Sequence, residues 1–213
     1  MMNRLKYLSL LLFMTVSMCQ ARGSMRQWFV AMPDSVMPLL TKNNRLDFID
    51  FVDSGMDAVV TNRLEGKSRM NMLSDDYLHI EYTQTCDVAM KLLTVNDSLD
   101  VLCMVTTVRA AVDDSHIAFF DAAWHPMTVG ELLEEPVLTD FRNAEVGDSA
   151  NAAWNKMDVF FKTYELSPDT CSLTCRLRSI DHLSEEDRKI VMPYLKYDAL
   201  VFVWENGRYV RKP

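Results

Sequence analysis

YLHIEYTQTCDVAMKLLTVNDSLDVLCMVTTVRAAVDDSHIAFFDAAW, residues 77–124, reads as four consecutive strands, and that reading decides the fold class. In residues 77–83, Leu78, Ile80 and Tyr82 alternate with Tyr77, His79, Glu81 and Thr83, the two-residue period of a half-buried strand. Residues 87–95 and 100–108 are rich in apolar and β-branched side chains. Between them, Asn96, Asp97 and Ser98 are side chains that bond back to the backbone in turns, so a hairpin with a loop of about four or five residues is expected. Asp113, Asp114 and Ser115 mark the next turn, and residues 116–124 close the set. The second and third strands are apolar on both faces, so each face needs a cover, and the helical flanks are the expected one.

Outward from this meander, the N-terminus reads as a signal rather than as fold. Arg4 and Lys6 precede an apolar run over residues 7–18 that is shorter than the roughly 20 residues of a membrane-spanning helix. Cys19 and Ala21 suit cleavage after Ala21, giving a signal peptide over residues 1–21. A lipid anchor on Cys19 is the lesser alternative, because the bulky Met18 stands where a small residue is expected. No later stretch is long and apolar enough to be a transmembrane helix. Loss of Arg4 and Lys6 takes the formal charge from −8 to −10. That acidity argues against nucleic acid and against an electrostatic hold on anionic lipid.

In chain order, Ser35 is placed as the cap of a short helix with Pro38 in its first turn. A second helix runs from an Asn44 cap to a stop at Gly55, with Leu46, Ile49 and Val52 on one side and Phe48 and Phe51 beside them. Asp47, Asp50 and Asp53 form its solvated edge rather than a cation site. Residues 57–68 read as a strand entering a glycine-containing turn. The run MPDSVMPLL (32–40), RLDFIDFVDSGMDAVVTNRLEGKS (45–68), LSDDYL (73–78) and MKLL (90–93), continued by HIAFFDAAWHPM (116–127), resembles a family of exported Bacteroidales proteins catalogued as a domain of unknown function. The resemblance covers nearly all of the mature chain. It implies a Gram-negative envelope and a shared fold, and it brings no catalytic or binding residues with it.

Thr128 and Glu131 have capping-box spacing before a short helix that Pro136 ends. The polar residues 140–153 read as a boundary between an N-terminal part, residues 22–139, and a second β unit with one helix, residues 140–213, the two packed as one body. In that unit Cys171, Leu173, Cys175 and Leu177 share the inward face of one strand. Ser184 caps a helix, and Asn206-Gly207 turns a terminal hairpin. The fold class is therefore α+β: a mainly antiparallel sheet, or two related β units, with N-terminal and inserted helices packed on one side.

Catalytic signals are sparse. His79, His116, His125 and His182 show no ligand spacing, so no metal and no cofactor are expected, and the chain holds no P-loop, GxSxG or GxGxxG. Cys171 and Cys175 are roughly 13 Å apart at strand rise, too far to bridge. Strand cysteines among apolar neighbours stay protonated and inert. Trp124, His125 and Trp204 are the ligand-contact candidates, since exposed rings stack on sugars, although aromatics at strand ends also serve as core plugs. The reading is a non-catalytic binding module of the cell envelope whose partner is another envelope protein or a surface component. The alternative is a carbohydrate-active or other hydrolytic accessory enzyme built on a carboxylate site.

Overall fold

The computed structural model describes residues 23–97, 99–143 and 147–213, so the expected signal peptide and Cys19 lie outside the described residues. The reading of 77–124 as four strands holds: β3 (Tyr77–Thr83), β4 (Cys86–Asn96), β5 (Leu99–Val108) and β6 (Asp114–Phe120) pair in sequence, each antiparallel to the next. Three further strands extend this meander to seven: β1 (Val59–Thr61) and β2 (Lys67–Leu73) before it, β7 (Pro126–Met127) after it. Sequence reading missed β2, because Lys67-Ser68-Arg69-Met70-Asn71 carries only two apolar or small inward residues among polar ones. The β4–β5 turn is tighter than expected, with Asn96 paired to Leu99.

The two faces of this sheet have different covers. Leu78, Ile80, Val88, Met90, Leu92, Leu102, Met104 and Phe120 pack under α1 (Met25–Ala31), α2 (Lys42–Asp53) and the segment between them. On the other face, Leu93, Val101, Cys103, Val105, Ile117 and Phe119 meet a second sheet of four strands. Its strands are β8 (Lys162–Leu166), β9 (Ser172–Leu177), β10 (Ala199–Glu205) and β11 (Arg208–Arg211), again a simple meander. The inserted helices α3 (Val129–Leu132), α4 (Asp148–Trp154) and α5 (Glu185–Val191) bring Leu132, Trp154 and Val191 into the same inter-sheet core. This core joins residues on both sides of the polar stretch 140–153.

Local chemistry explains where the N-terminal elements begin and end. The helix placed at Ser35 is a set of turns, and the regular helix is α1, ahead of it. In α2 the cap is Thr41, not Asn44: Asn44 donates its N–H to Thr41 Oγ1 at 3.1 Å, and its own Oδ1 accepts the Thr41 N–H at 3.0 Å. The reciprocal pair makes Asn44 the third helical residue, a capping-box position. Gly55 ends α2 at φ +65°, with its N–H on Val52 O at 3.1 Å and Met56 N–H on Phe51 O at 2.9 Å, the two bonds of a Schellman cap.

That frame turns Arg45 and Phe48 inward, keeps Ile49, Phe51 and Val52 against the core and leaves Leu46 exposed, so of the apolar row only Leu46 departs from expectation. Arg45 is 1% exposed. Its guanidinium donates to Leu40 O at 2.8 Å, to Met32 O, and to Asp34 Oδ1 at 3.0 Å, so one side chain ties down the whole segment between the helices. Removing it strands two buried carbonyls, while the half-exposed Asp34 keeps Arg63 Nη2 at 2.7 Å. Arg45→Ala is expected to lower the unfolding free energy by about 2–4 kcal/mol, from the two unpaired carbonyls. Leu46→Ala, one position along, should change it by less than about 0.5 kcal/mol. Urea unfolding of both variants tests this, and equal losses would contradict the role given to Arg45.

Candidate functional site

Two of the exposed sheet edges are met by specific contacts, and a third is met at one end only. Asn44 Nδ2 donates to Thr61 O at 3.2 Å on the outer edge of β1. A parallel bridge from Leu133 reaches Tyr209 on the outer edge of β11. On β8, Asp114 Oδ1 accepts the Lys162 N–H at 3.1 Å. That last bond also shows which way β8 points: Lys162 turns its backbone groups away from β9. The two-residue alternation then aims the N–H and C=O of Tyr164 and Leu166 the same way. Ser167, on the opposite phase, donates back to Ser172 O at 3.0 Å. Beyond Asp114, the edge offered by Tyr164 and Leu166 has no backbone partner among the described residues.

This open edge borders a cleft of ≈ 290 Å³ between the two sheets. The small sheet covers only part of the face above it, and the uncovered end presents His79 on β3, Asp87 and Ala89 on β4, and Val105 and Thr107 on β5. These positions are neighbours because the register pairs His79 with Ala89, Ala89 with Val105, and Asp87 with Thr107. Tyr77, Tyr164, Glu165, Leu166 and Pro168 complete the walls. Pro168 is fixed in place by Lys91, a lysine 1% exposed whose Nζ donates to Pro168 O at 2.8 Å and lies 2.9 Å from Asp76 Oδ2. The cleft is thus preformed, not dependent on a mobile wall.

Three larger hollows carry less chemistry, the smallest of them, ≈ 320 Å³, lying between the end of α2 and β2 beside Gly55, Met56, Asp57 and Asn71. One of ≈ 600 Å³ is a shallow depression along α5 and the turn after it, lined by Glu185, Arg188, Lys189, Met192 and Pro193. One of ≈ 490 Å³ runs beside β11, where Arg211 lies 3.6 Å from Asp140 and so occupies its own neighbour. None of the three sets groups from both sheets against each other.

Electrostatics mark the cleft as well. Burial pushes the Asp87 carboxyl above the usual aspartate range; Arg109 (Nη2 to Oδ1 3.0 Å) and His79 pull it partly back, and Glu81 and Asp113 add to the rise. Burial also raises the Tyr77 hydroxyl, with the Glu165 charge adding to the effect from across the cleft. Tyr164 is raised chiefly by burial. No group of three or more His, Cys, Asp or Glu side chains among the described residues is placed to hold a metal ion.

The candidates from sequence fall apart in space. Trp124 is buried in the helix-side core, its ring 5.9 Å from Trp28 and 5.4 Å from Phe120. It gets there from φ +63°, in a turn organised by Asp121, whose Oδ1 accepts the N–H groups of Ala123 (2.9 Å) and His125 (2.8 Å). His125 is exposed beside Asp121 Oδ2 at 3.1 Å. Trp204 packs on the opposite face of the large sheet, edge-on to Tyr209 at 5.1 Å, and donates Nε1–H to Thr94 O at 2.7 Å. Sequence reading missed the cleft residues. The usable signal was Tyr77, His79 and Glu81 alternating with apolar neighbours, a polar row on a face that must otherwise be covered.

Cys171 also differs from expectation: it precedes β9 and is exposed, whereas Cys103 and Cys175 are buried, and all four described cysteines are free thiols. Burial pushes Cys175 up to about 12 and Cys103 further, beside the Tyr209 hydroxyl.

Residues 17–209 match the family described as "Protein of unknown function (DUF3256)". The chain belongs to that family. A solved structure described as a domain of an uncharacterized protein from Porphyromonas gingivalis W83 is similar at a TM-score of 0.80 and 27% identity, covering 89% of this chain and 100% of that one. That organism belongs to the Bacteroidales, in line with the resemblance read from the sequence. Comparison with curated proteins finds no match.

Two outcomes are expected. Because the folded state holds the Asp87 proton more tightly than the unfolded chain, its charge costs stability above the ordinary aspartate pKa, and that cost fades as pH falls through the raised value. Asp87→Asn should therefore raise Tm at pH 7, with the gain vanishing well below pH ~3.9; a lowered Tm at pH 7 would contradict it. With iodoacetamide on the native protein, Cys171 should be alkylated first, and Cys103 and Cys175 only after unfolding, as read by peptide mass spectrometry.

Proposed function

We propose that this member of the DUF3256 family is an exported, non-catalytic binding module of the cell envelope, engaging a partner at the cleft beside β8. The observation that carries the reading is the pairing of an open strand edge with a preformed polar floor, a surface suited to main-chain recognition. The basic-then-apolar N-terminus ending at Ala21 supports export. No helix among the described residues is long and apolar enough to cross a membrane. Chemistry at the cleft has little to start from: its residues are two tyrosines, His79, Asp87, Glu165 and Thr107 among apolar groups, with no cysteine or serine. The hydrolytic alternative draws on one specific observation, that Asp87 and Glu165 both line the cleft.

One experiment separates the two readings. The chain should be recovered from the envelope fraction with Arg22 as its first residue, and then incubated with oligosaccharide and ester substrate panels. No turnover is expected. Turnover abolished by both Asp87→Asn and Glu165→Gln would replace the binding reading with the hydrolytic one, and a chain retained in the cytoplasm would remove the envelope assignment.

A further inference from the structure

Resting on the binding reading above, we infer that the cleft takes an extended peptide segment carrying lysine or arginine, which adds as a fifth strand to the small sheet along β8. Three observations converge. The first is the edge itself: Tyr164 and Leu166 present two N–H and two C=O groups with no backbone partner among the described residues, spaced two residues or about 7 Å apart. An added strand satisfies such a row without any change in the sheet. The second is shape. A strand laid on β8 would sit directly above the part of the large sheet that the small sheet leaves bare, covering Ala89, Val105 and Thr107 with its downward side chains.

Charge supplies the third. The residues lining the cleft include Asp87 and Glu165 and no lysine or arginine. Glu81, hydrogen-bonded to Asn71 Nδ2 at 3.0 Å, lies in register with Asp87 at the cleft's open end. Arg109 answers only Asp87, and Arg176 stands 3.9 Å from Glu165, a loose contact that a closer cation would displace. The walls therefore favour a cationic side chain and disfavour an acidic one. The groove beside β11 is the natural contrast, since its Arg208 and Arg211 are balanced by Glu134 and Asp140. Asp114 explains how an unoccupied edge avoids pairing with other copies: its carboxylate closes the Lys162 end, limiting the open run to a short segment.

The test uses capped five-residue peptides with lysine at alternate positions between threonine or valine, and matched peptides with glutamate instead. Binding to the chain from Arg22 onward is read by fluorescence anisotropy and by amide shifts in nitrogen-15 spectra. The lysine peptides should bind, more weakly as salt rises, with the largest shifts at the Tyr164 and Leu166 amides. Those two amides should also gain protection from hydrogen exchange. Asp87→Asn and Glu165→Gln should each weaken binding by about five- to tenfold while leaving the fold's spectrum unchanged. Equal binding of the glutamate peptides would overturn the charge argument. Shifts confined to the β11 groove, or no binding across the set, would overturn the β8 site. None of these results involves turnover or localisation, so a failure here is distinct from a failure of the binding-module reading.

Discussion

β4 and β5 are apolar on both faces, and neither face can be left to water. Every other element of the protein is arranged by that constraint. Burying one Val, Leu, Phe or Met side chain contributes about 1.5–3 kcal/mol, so a pair of strands with Leu92, Leu102 and Met104 on one side and Leu93, Cys103 and Val105 on the other demands two separate covers. The N-terminal helices supply one and the small sheet the other. The second cover is the shorter of the two. Where it stops, the large sheet turns polar, with His79, Asp87 and Thr107 replacing the apolar row, and the cleft is the seam between those two regimes.

Polar side chains then decide the details that apolar packing leaves open. Arg45 holds the segment between α1 and α2 by its carbonyls, Lys91 holds the β8–β9 turn by Pro168, and Asp121 folds the turn that sends Trp124 into the core. In each case a buried or anchored hydrogen-bonding group fixes the course of a loop. None of the three has a partner nearby on its own strand or helix face that periodicity would reveal.

This contrast explains what could be read from the chain. The four central strands, the helix capped by Ser184 and the Asn206-Gly207 hairpin were legible because their signals are local: alternation, a cap whose Oγ accepts the Asp187 N–H, and two residues at positive φ. The small sheet as the second cover was not, since nothing in residues 87–108 says which distant segment will reach them. α2 was found with its start three residues late and Arg45 missed, because an arginine on the inward face is scored as outward by hydrophobic patterning. The candidate site was least legible. Trp124 and Trp204 stand out in sequence yet are used on opposite faces of the large sheet, whereas the cleft is made from unremarkable residues brought together by register.

The order of elements along the chain also bears on synthesis. The large sheet and its helical cover are complete by residue 127, while β8 to β11 occupy residues 162–211. During elongation the inner row of Leu93, Val101, Ile117 and Phe119 must therefore remain uncovered until the final quarter of the chain arrives. Trp204, bonded to Thr94 across 110 positions, closes that gap almost at the end. Such late, distant closure makes for slow folding and a nascent chain that is prone to aggregate, a liability any holding chaperone would have to cover.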